Sequence, residues 1–216
     1  MKDKNNLKIT DQIARQFLGE QSNFTIKPLG EGSNNINYLV KGKSKIVIKL
    51  SKPDFEYKAF SDYQKENWCL IKAQELNIPS PKVLKLGKND SRAFLIESYI
   101  EGSPVANLDE SSLFSDEKKI KVWQKLGEYT KKINSIPVTG WGENLVGDGI
   151  FDGSWNQHVQ YNIESLNDSD ILLSMAVLNQ PLSKKIKQLF QSLSEKKFIF
   201  GLCHSDIALR NAIINS

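Results

Sequence analysis

The sequence predicts an α+β fold in two lobes, a small β-rich lobe followed by a helical one, and three observations carry that expectation. Up to about residue 101, short β-prone runs alternate with turn-rich breaks, and one main helix interrupts them. Beyond it, apolar residues recur at steps of three and four. Between the two, ESYIEGSP places Gly and Pro directly behind an apolar run, as a connector does. The expected division is 1–101 for the first lobe and 102–216 for the second.

Each element follows in order. ITDQIARQFL reads as a short helix opened by Thr10 or Asp11, with Ile13, Phe17 and Leu18 on one side. FTIKPLGEGSNNINYLVKGKSKIVIKLS is strands split by GEG and KGK. In KIVIKL the side chains alternate, so Ile46, Ile48 and Leu50 share one face while Val47 and Lys49 share the other. DYQKENWCLIKAQEL is a helix stopped by NIPSP with its two prolines. KVLKLG and AFLIESYI are strands flanking KNDSR. SDEKKIKVWQKLGEYTKKINSI sets Ile120, Trp123, Leu126, Thr130 and Ile133 on one helical stripe. VTGWGENLVGDGIFDGSW is glycine-rich and reads as loop, and a helical region follows from NIESL to SMAVL. PLSKKIKQLFQSLSEKKF is a helix with Ile186, Leu189, Phe190 and Leu193 aligned. KFIFGLC reads as a short buried strand.

Composition narrows the function classes. With 39% hydrophobic and 25% charged residues in 216, the chain is an ordinary globular protein. MKDKNNLKITDQIARQF lacks a signal-peptide core, and no apolar run nears the roughly 20 residues that cross a bilayer. Cys69 and Cys203 suggest neither a disulfide framework nor a zinc site. A cytoplasmic, reduced protein with no membrane partner is expected. The net charge of +4 is uneven: 17 Lys/Arg face 12 Asp/Glu in residues 1–102, against 12 and 13 afterwards. That excess suits nucleotide phosphates, though solvated surface lysine explains it as well; without a run of like charges, nucleic acid is not expected.

The chemistry-bearing residues come in a definite order. In GEGSNN, Gly30 and Gly32 let backbone approach an anion closely, and a plain hairpin turn explains them too. It is neither a Walker loop, since no Gly-Lys-Ser/Thr follows, nor a Rossmann fingerprint, since a strand rather than a helix comes next. Glu66 precedes Cys69, Leu70 and Ala73 by three, four and seven residues, on the apolar side of its helix. A carboxylate there needs a partner, which the strand lysine Lys49 would supply; a helix-edge glutamate reaching water is the alternative. His204-Ser205-Asp206, then Asn211, stand behind a strand-like run. An Asp so placed can accept a hydroxyl proton, and an Asn five residues on can offer oxygen to Mg²⁺. A local turn would use the same residue types. His204 reads as structural, and His158 has no evident partner.

With these motifs in succession, the sequence resembles the aminoglycoside phosphotransferase and choline kinase family of protein-kinase-like enzymes, from about Phe24 to the end. The resemblance implies a two-lobed kinase-like fold with an incomplete helical lobe, using ATP (or GTP) and Mg²⁺ to phosphorylate a small hydroxyl-bearing molecule. LGEGSNNINYLV resembles the nucleotide loop, with Ser33 at the outer phosphates. KIVIKL and KENWCLIKAQELNIPSPKVL supply Lys49 and its glutamate Glu66. FLIESYIEG resembles the hinge, where the backbone of Ser98 and Ile100 would bond adenine. CHSDIALRNAII makes Asp206 the base and Asn211 a magnesium ligand. Two departures stand out. Ser205 replaces the family's usual glycine, and the chain ends five residues after Asn211, before the aspartate that is the family's principal metal ligand. A truncated chain with weak ATP binding and low turnover is therefore expected. A non-catalytic nucleotide-binding module is the alternative, and a protein kinase proper fits less well.

Overall fold

The structure, a computed structural model, describes residues 2–109, 114–167, 169–194 and 196–215. Its first feature is an antiparallel sheet of β1 (Thr25–Glu31), β2 (Asn35–Lys41), β3 (Lys45–Ser51), β4 (Val83–Asn89) and β5 (Arg92–Ser98), in spatial order β1-β2-β3-β5-β4. The expected alternation in KIVIKL holds. Ile46, Ile48 and Leu50 are buried, and they pack with Ile36, Tyr38 and Val40 of β2 and Phe94 and Ile96 of β5.

α1 (Lys2–Leu18) covers that face with Ile13 and Ala14, which are almost wholly buried. α2 (Glu56–Glu75) covers the opposite face, where Ala59 and Tyr63 meet Ala93 and Leu95. β5 is thus enclosed on both sides, and Arg92 through Glu97 are all buried. A continuous apolar run is what such a central strand requires.

α1 begins well before the helix expected from ITDQIARQFL, and Thr10 lies inside it rather than at its start. Two buried polar residues on the inner face, Asn6 and Thr10, conceal the helical period. Thr10 Oγ1 donates to the Asn6 carbonyl at 2.8 Å. Asn6 Oδ1 accepts from Arg92 Nη1 at 3.1 Å. The buried Arg92 guanidinium also donates to the Ser51 carbonyl, so one cation ties α1 to β3.

The chain forms two compact units, one of residues 1–133 with 203–216 and the other of residues 134–202. The first unit continues past the sheet into β6 (Ser103–Pro104), α3 (Val105–Asp109) and α4 (Asp116–Asn134). Along α4, Leu126, Thr130 and Ile133 of the expected stripe are half-buried, whereas Ile120 and Trp123 are exposed.

The second unit holds two corrections to the sequence reading. The stretch read as loop is a hairpin, β7 (Trp141–Gly147) and β8 (Ile150–Gly153). Its turn is Asp148–Gly149, with Gly149 at φ +70°, the Asp-Gly pairing that two-residue hairpins favour. One of the glycines that suggested a loop, Gly149, makes the turn of the hairpin. α5 (Trp155–Ser165), α6 (Ile171–Ser174) and α7 (Gln180–Ser194) follow, α5 opened by a capping box of Ser154 and Gln157.

KFIFGLC is not a buried strand. It bonds the 136–138 segment at only two points, Val138 N–H to the Phe200 carbonyl and Leu202 N–H to the Ile136 carbonyl, and Ile199 is fully exposed. Phe198 and Phe200 instead join Trp141, Trp155 and His158 in an aromatic cluster with ring centres 4.8–6.2 Å apart. His158 therefore has a packing role. After this unit the chain returns to the first as β9 (Ile213–Ile214), antiparallel to β6. No helix among the described residues is long and apolar enough to cross a membrane.

Candidate active site

Strand register and one helix build the center of the site. Lys49 lies opposite Asn37 on β2 and Leu95 on β5, so its side chain leaves the sheet on the α2 side. There its Nζ makes a close ion pair with Glu66 of α2. The spacing that put Glu66 on the apolar side of its helix is thus explained by the lysine it meets. Lys49 Nζ also lies 3.2 Å from Glu97 Oε2 on β5. Burial alone would lower the Lys49 pKa, but Glu66 and Glu97 outweigh it and hold the ammonium above its ordinary value. The Glu97 carboxyl is pushed above the usual carboxylate range by burial, against the pull of Lys49 and with the like charge of Glu66 adding to it.

Glu97 was not found by sequence reasoning. A signal existed in AFLIESYI: a charged residue closing a run fit for a doubly covered strand must find a buried partner, and it points to the same face as Leu95, Lys49's neighbor.

The glycine-bearing turn joins β1 to β2. A bulge between Pro28 and Gly30 shifts the register, and Gly30 stands opposite Asn37 at φ +153°. Gly32 N–H donates to the Asn35 carbonyl at 2.9 Å, and a Cβ on Gly32 would meet Asn35 Oδ1 at 2.7 Å. Ser33 is exposed at the tip. Glu31 pairs with Lys52 at 3.2 Å, which ties the turn's first edge to the end of β3.

Ser98 ends β5. Its N–H donates to the Lys82 carbonyl at 2.9 Å, so its own carbonyl is the group it could offer a base. Ile100 follows in half-buried chain outside any strand or helix. Lys45 and Glu101 pair beside this segment.

Asp206 and Asn211 lie in the same compact unit as Lys49 and Glu66. Pairing of β9 with β6 brings the loop back, and Val105 N–H donates to the Ala212 carbonyl at 2.8 Å. Asn211 closes a short 3₁₀ turn, Leu209–Asn211, and its Nδ2 donates to Asp206 Oδ2 and to the Asp206 carbonyl, both at 2.9 Å. With the amide nitrogen on Asp206, Asn211 Oδ1 is the end that can meet a cation. Arg210 pairs with Asp206 Oδ1. The Asn211 hydrogen bond first, then the Arg210 charge and bond and the nearby His204, hold the exposed Asp206 carboxyl below its ordinary pKa. It is ionized at neutral pH and can accept a proton. His204 is an orienting residue here, its Nδ1 accepting from Asp206 N–H at 3.3 Å. Ser205, where the resemblance leads one to expect glycine, adopts φ +62°. That left-handed backbone strains a residue with a Cβ and is what a glycine would relieve.

Among the described residues, no three His, Cys, Asp or Glu side chains gather as a metal site. Asn211 Oδ1 offers a single oxygen, which fits a Mg²⁺ carried by nucleotide phosphates better than a resident ion.

No protein-family model and no curated protein sequence matches this chain. Solved structures do. The aminoglycoside phosphotransferase APH(2")-IIia, determined with GDP and kanamycin, aligns with 97% of this chain and 67% of its own length, at 19% identity and a TM-score of 0.62. Aminoglycoside-3'-phosphotransferase of type VIII aligns with 96% of this chain and 72% of its own, at 15% identity and a TM-score of 0.52. With its five-stranded antiparallel sheet, flanking helices and returning loop, this chain has the α+β, protein-kinase-like fold of the aminoglycoside phosphotransferases.

Proposed function

We propose that the chain is a phosphotransferase that takes ATP or GTP and passes the γ-phosphoryl group to a hydroxyl of a small molecule. The observation that carries this is the Lys49–Glu66 pair on the sheet face, in one compact unit with the Asp206–Asn211 loop. Phosphoryl transfer asks the protein mainly for positioning and charge. The turn at Gly30, Gly32 and Ser33 would cradle phosphates, and Lys49, oriented by Glu66, would pair with them. Ser98 and Ile100 would hold the base through backbone groups. Asp206 would accept the substrate hydroxyl's proton, and Asn211 would help hold a Mg²⁺, which when bound neutralizes phosphate charge. Residues 1–101 would then be the nucleotide-binding lobe and 102–216 the lobe bearing the catalytic loop. The free cysteines Cys69 and Cys203 fit a reduced, cytoplasmic setting, and neither nucleic acid nor a membrane is a partner in this reading.

Turnover would be low, because among the described residues no cluster of three His, Cys, Asp or Glu side chains is there to hold the metal that Asn211 would help bind. The same observation favors the second reading, a nucleotide-binding module without transfer chemistry. A coupled assay with ATP or GTP, Mg²⁺ and an aminoglycoside panel separates the two. Slow transfer, lost in Asp206→Asn, is the expected result. Nucleotide binding with no transfer to any acceptor would leave the module, and absence of nucleotide binding would defeat both.

A further inference from the structure

Lys49 is shared by two carboxylates, and the two differ in kind. Glu66 stands on a helix with its side chain 31% exposed, so it can turn to water when another anion claims the ammonium. Glu97 stands on the enclosed strand β5 with its side chain only 5% exposed, and it has no such exit. Its Oε2 meets Lys49, while its Oε1 is buried without a hydrogen-bond partner. Two more buried polar atoms lack partners on this side of the sheet, the Tyr63 hydroxyl of α2 and Oδ1 of Asn37, which lies opposite Lys49 in register.

The charge count is unfavorable to a nucleotide. One ammonium between two carboxylates leaves one net negative charge where phosphate is to bind, in surroundings that screen it weakly. The groups facing Glu97 are Lys49 from β3 and Glu66 and Tyr63 from α2; β4 sets only Val83 opposite it. No second cation is among them to take over from Lys49. A buried carboxylate that loses its cation is neutralized by a proton more readily than it stays charged.

Resting on the phosphotransferase reading, we propose that Glu97 is a positioning residue that governs nucleotide affinity through a proton. Ionized, it holds Lys49 back; when nucleotide phosphates draw the ammonium away, Glu97 takes a proton from solvent and the cluster becomes neutral. The raised pKa that burial gives Glu97 in the free protein places it partway toward that state.

The test is calorimetric titration of the whole chain with MgATP, in buffers of differing ionization heat, from about pH 5.5 to about pH 8.5. Expected for the wild type is uptake approaching one proton, and affinity that tightens toward low pH by up to about tenfold per pH unit. Glu97→Gln should take up only the protons ATP itself binds. It should show the flatter pH profile, and should bind more tightly than wild type at the alkaline end. Equal proton uptake and parallel profiles in the two proteins, or weaker alkaline binding by Glu97→Gln, would overturn the proposal. Should that variant not fold, the wild type decides alone: at the alkaline end the ATP phosphates are fully ionized, so proton uptake there supports the proposal and none refutes it. Binding without proton linkage sinks the Glu97 inference only. Absence of binding at every pH sinks the phosphotransferase reading and this inference with it.

Discussion

Lys49 and Glu97 shift in the same direction on folding, yet they act oppositely on stability. Lys49 is held above its ordinary pKa, so its contribution is fully present below about pH 10.4 and fades only as pH rises through the folded value. Glu97 is also raised, but it is an acid. The folded protein favors its protonated form, so Glu97 supports the fold best below about pH 4.3, and that support is lost as pH climbs to the folded value. The stability of wild type relative to Glu97→Gln should therefore fall as pH rises from about 4.3 to the folded value and stay level above it. Paired urea melts at stepped pH read this directly; a difference that does not change with pH would contradict it. Lys49 and Glu66 were legible in the sequence because a carboxylate on an apolar helix face asks for a cation. Glu97 was hidden because what gives it its character, enclosure on both faces of β5, exists only once α1 and α2 have packed.

Among elements, legibility followed how cleanly polarity tracked burial. β3 alternates from Lys45 to Leu50, and that stretch was read correctly to the residue face. α1 buries Asn6 and Thr10 beside Ile13 and Ala14, so its first two turns carry no apolar stripe to see. The β7–β8 hairpin escaped notice because its strands are mostly exposed, and exposed strands need no apolar rhythm. What α1 contributes is measurable. Ile13 is 1% exposed, against β2, β3 and β5. Ile13→Ala should cost about 3 kcal/mol in denaturant unfolding, through lost burial and the cavity left behind. A loss below about 1 kcal/mol would mean that α1 is a loose cover rather than part of the core.

At the scale of the molecule, the first unit is discontinuous, closed by the short pairing of β6 with β9. Gly102 permits it. At φ +131°, a Cβ there would press on the Ile214 carbonyl and lie 2.9 Å from the Ile213 side chain. Gly102→Val should release the returning segment while leaving the five-stranded sheet intact. The expected signature is loss of amide protection at Ile213 and Ile214 and new protease cleavage within residues 203–215, with protection of β3 and β5 unchanged. Protection kept at Ile213 would show that β9 does not depend on this glycine.

That pairing also sets a time scale. It closes a loop running from Ser103 to Ile214 with a ladder of two residues a side. The entropy of closing such a loop grows only logarithmically, about 0.6 kcal/mol per doubling, but it must be met before two residues of ladder return anything. Non-local contacts with so little reward form late in folding and open early in fluctuation. Asp206 and Asn211 ride on this segment, so the proposed base and metal ligand arrive last. If the proposed phosphotransfer holds, the fraction of time the loop stays closed is a ceiling on the fraction of molecules ready to react.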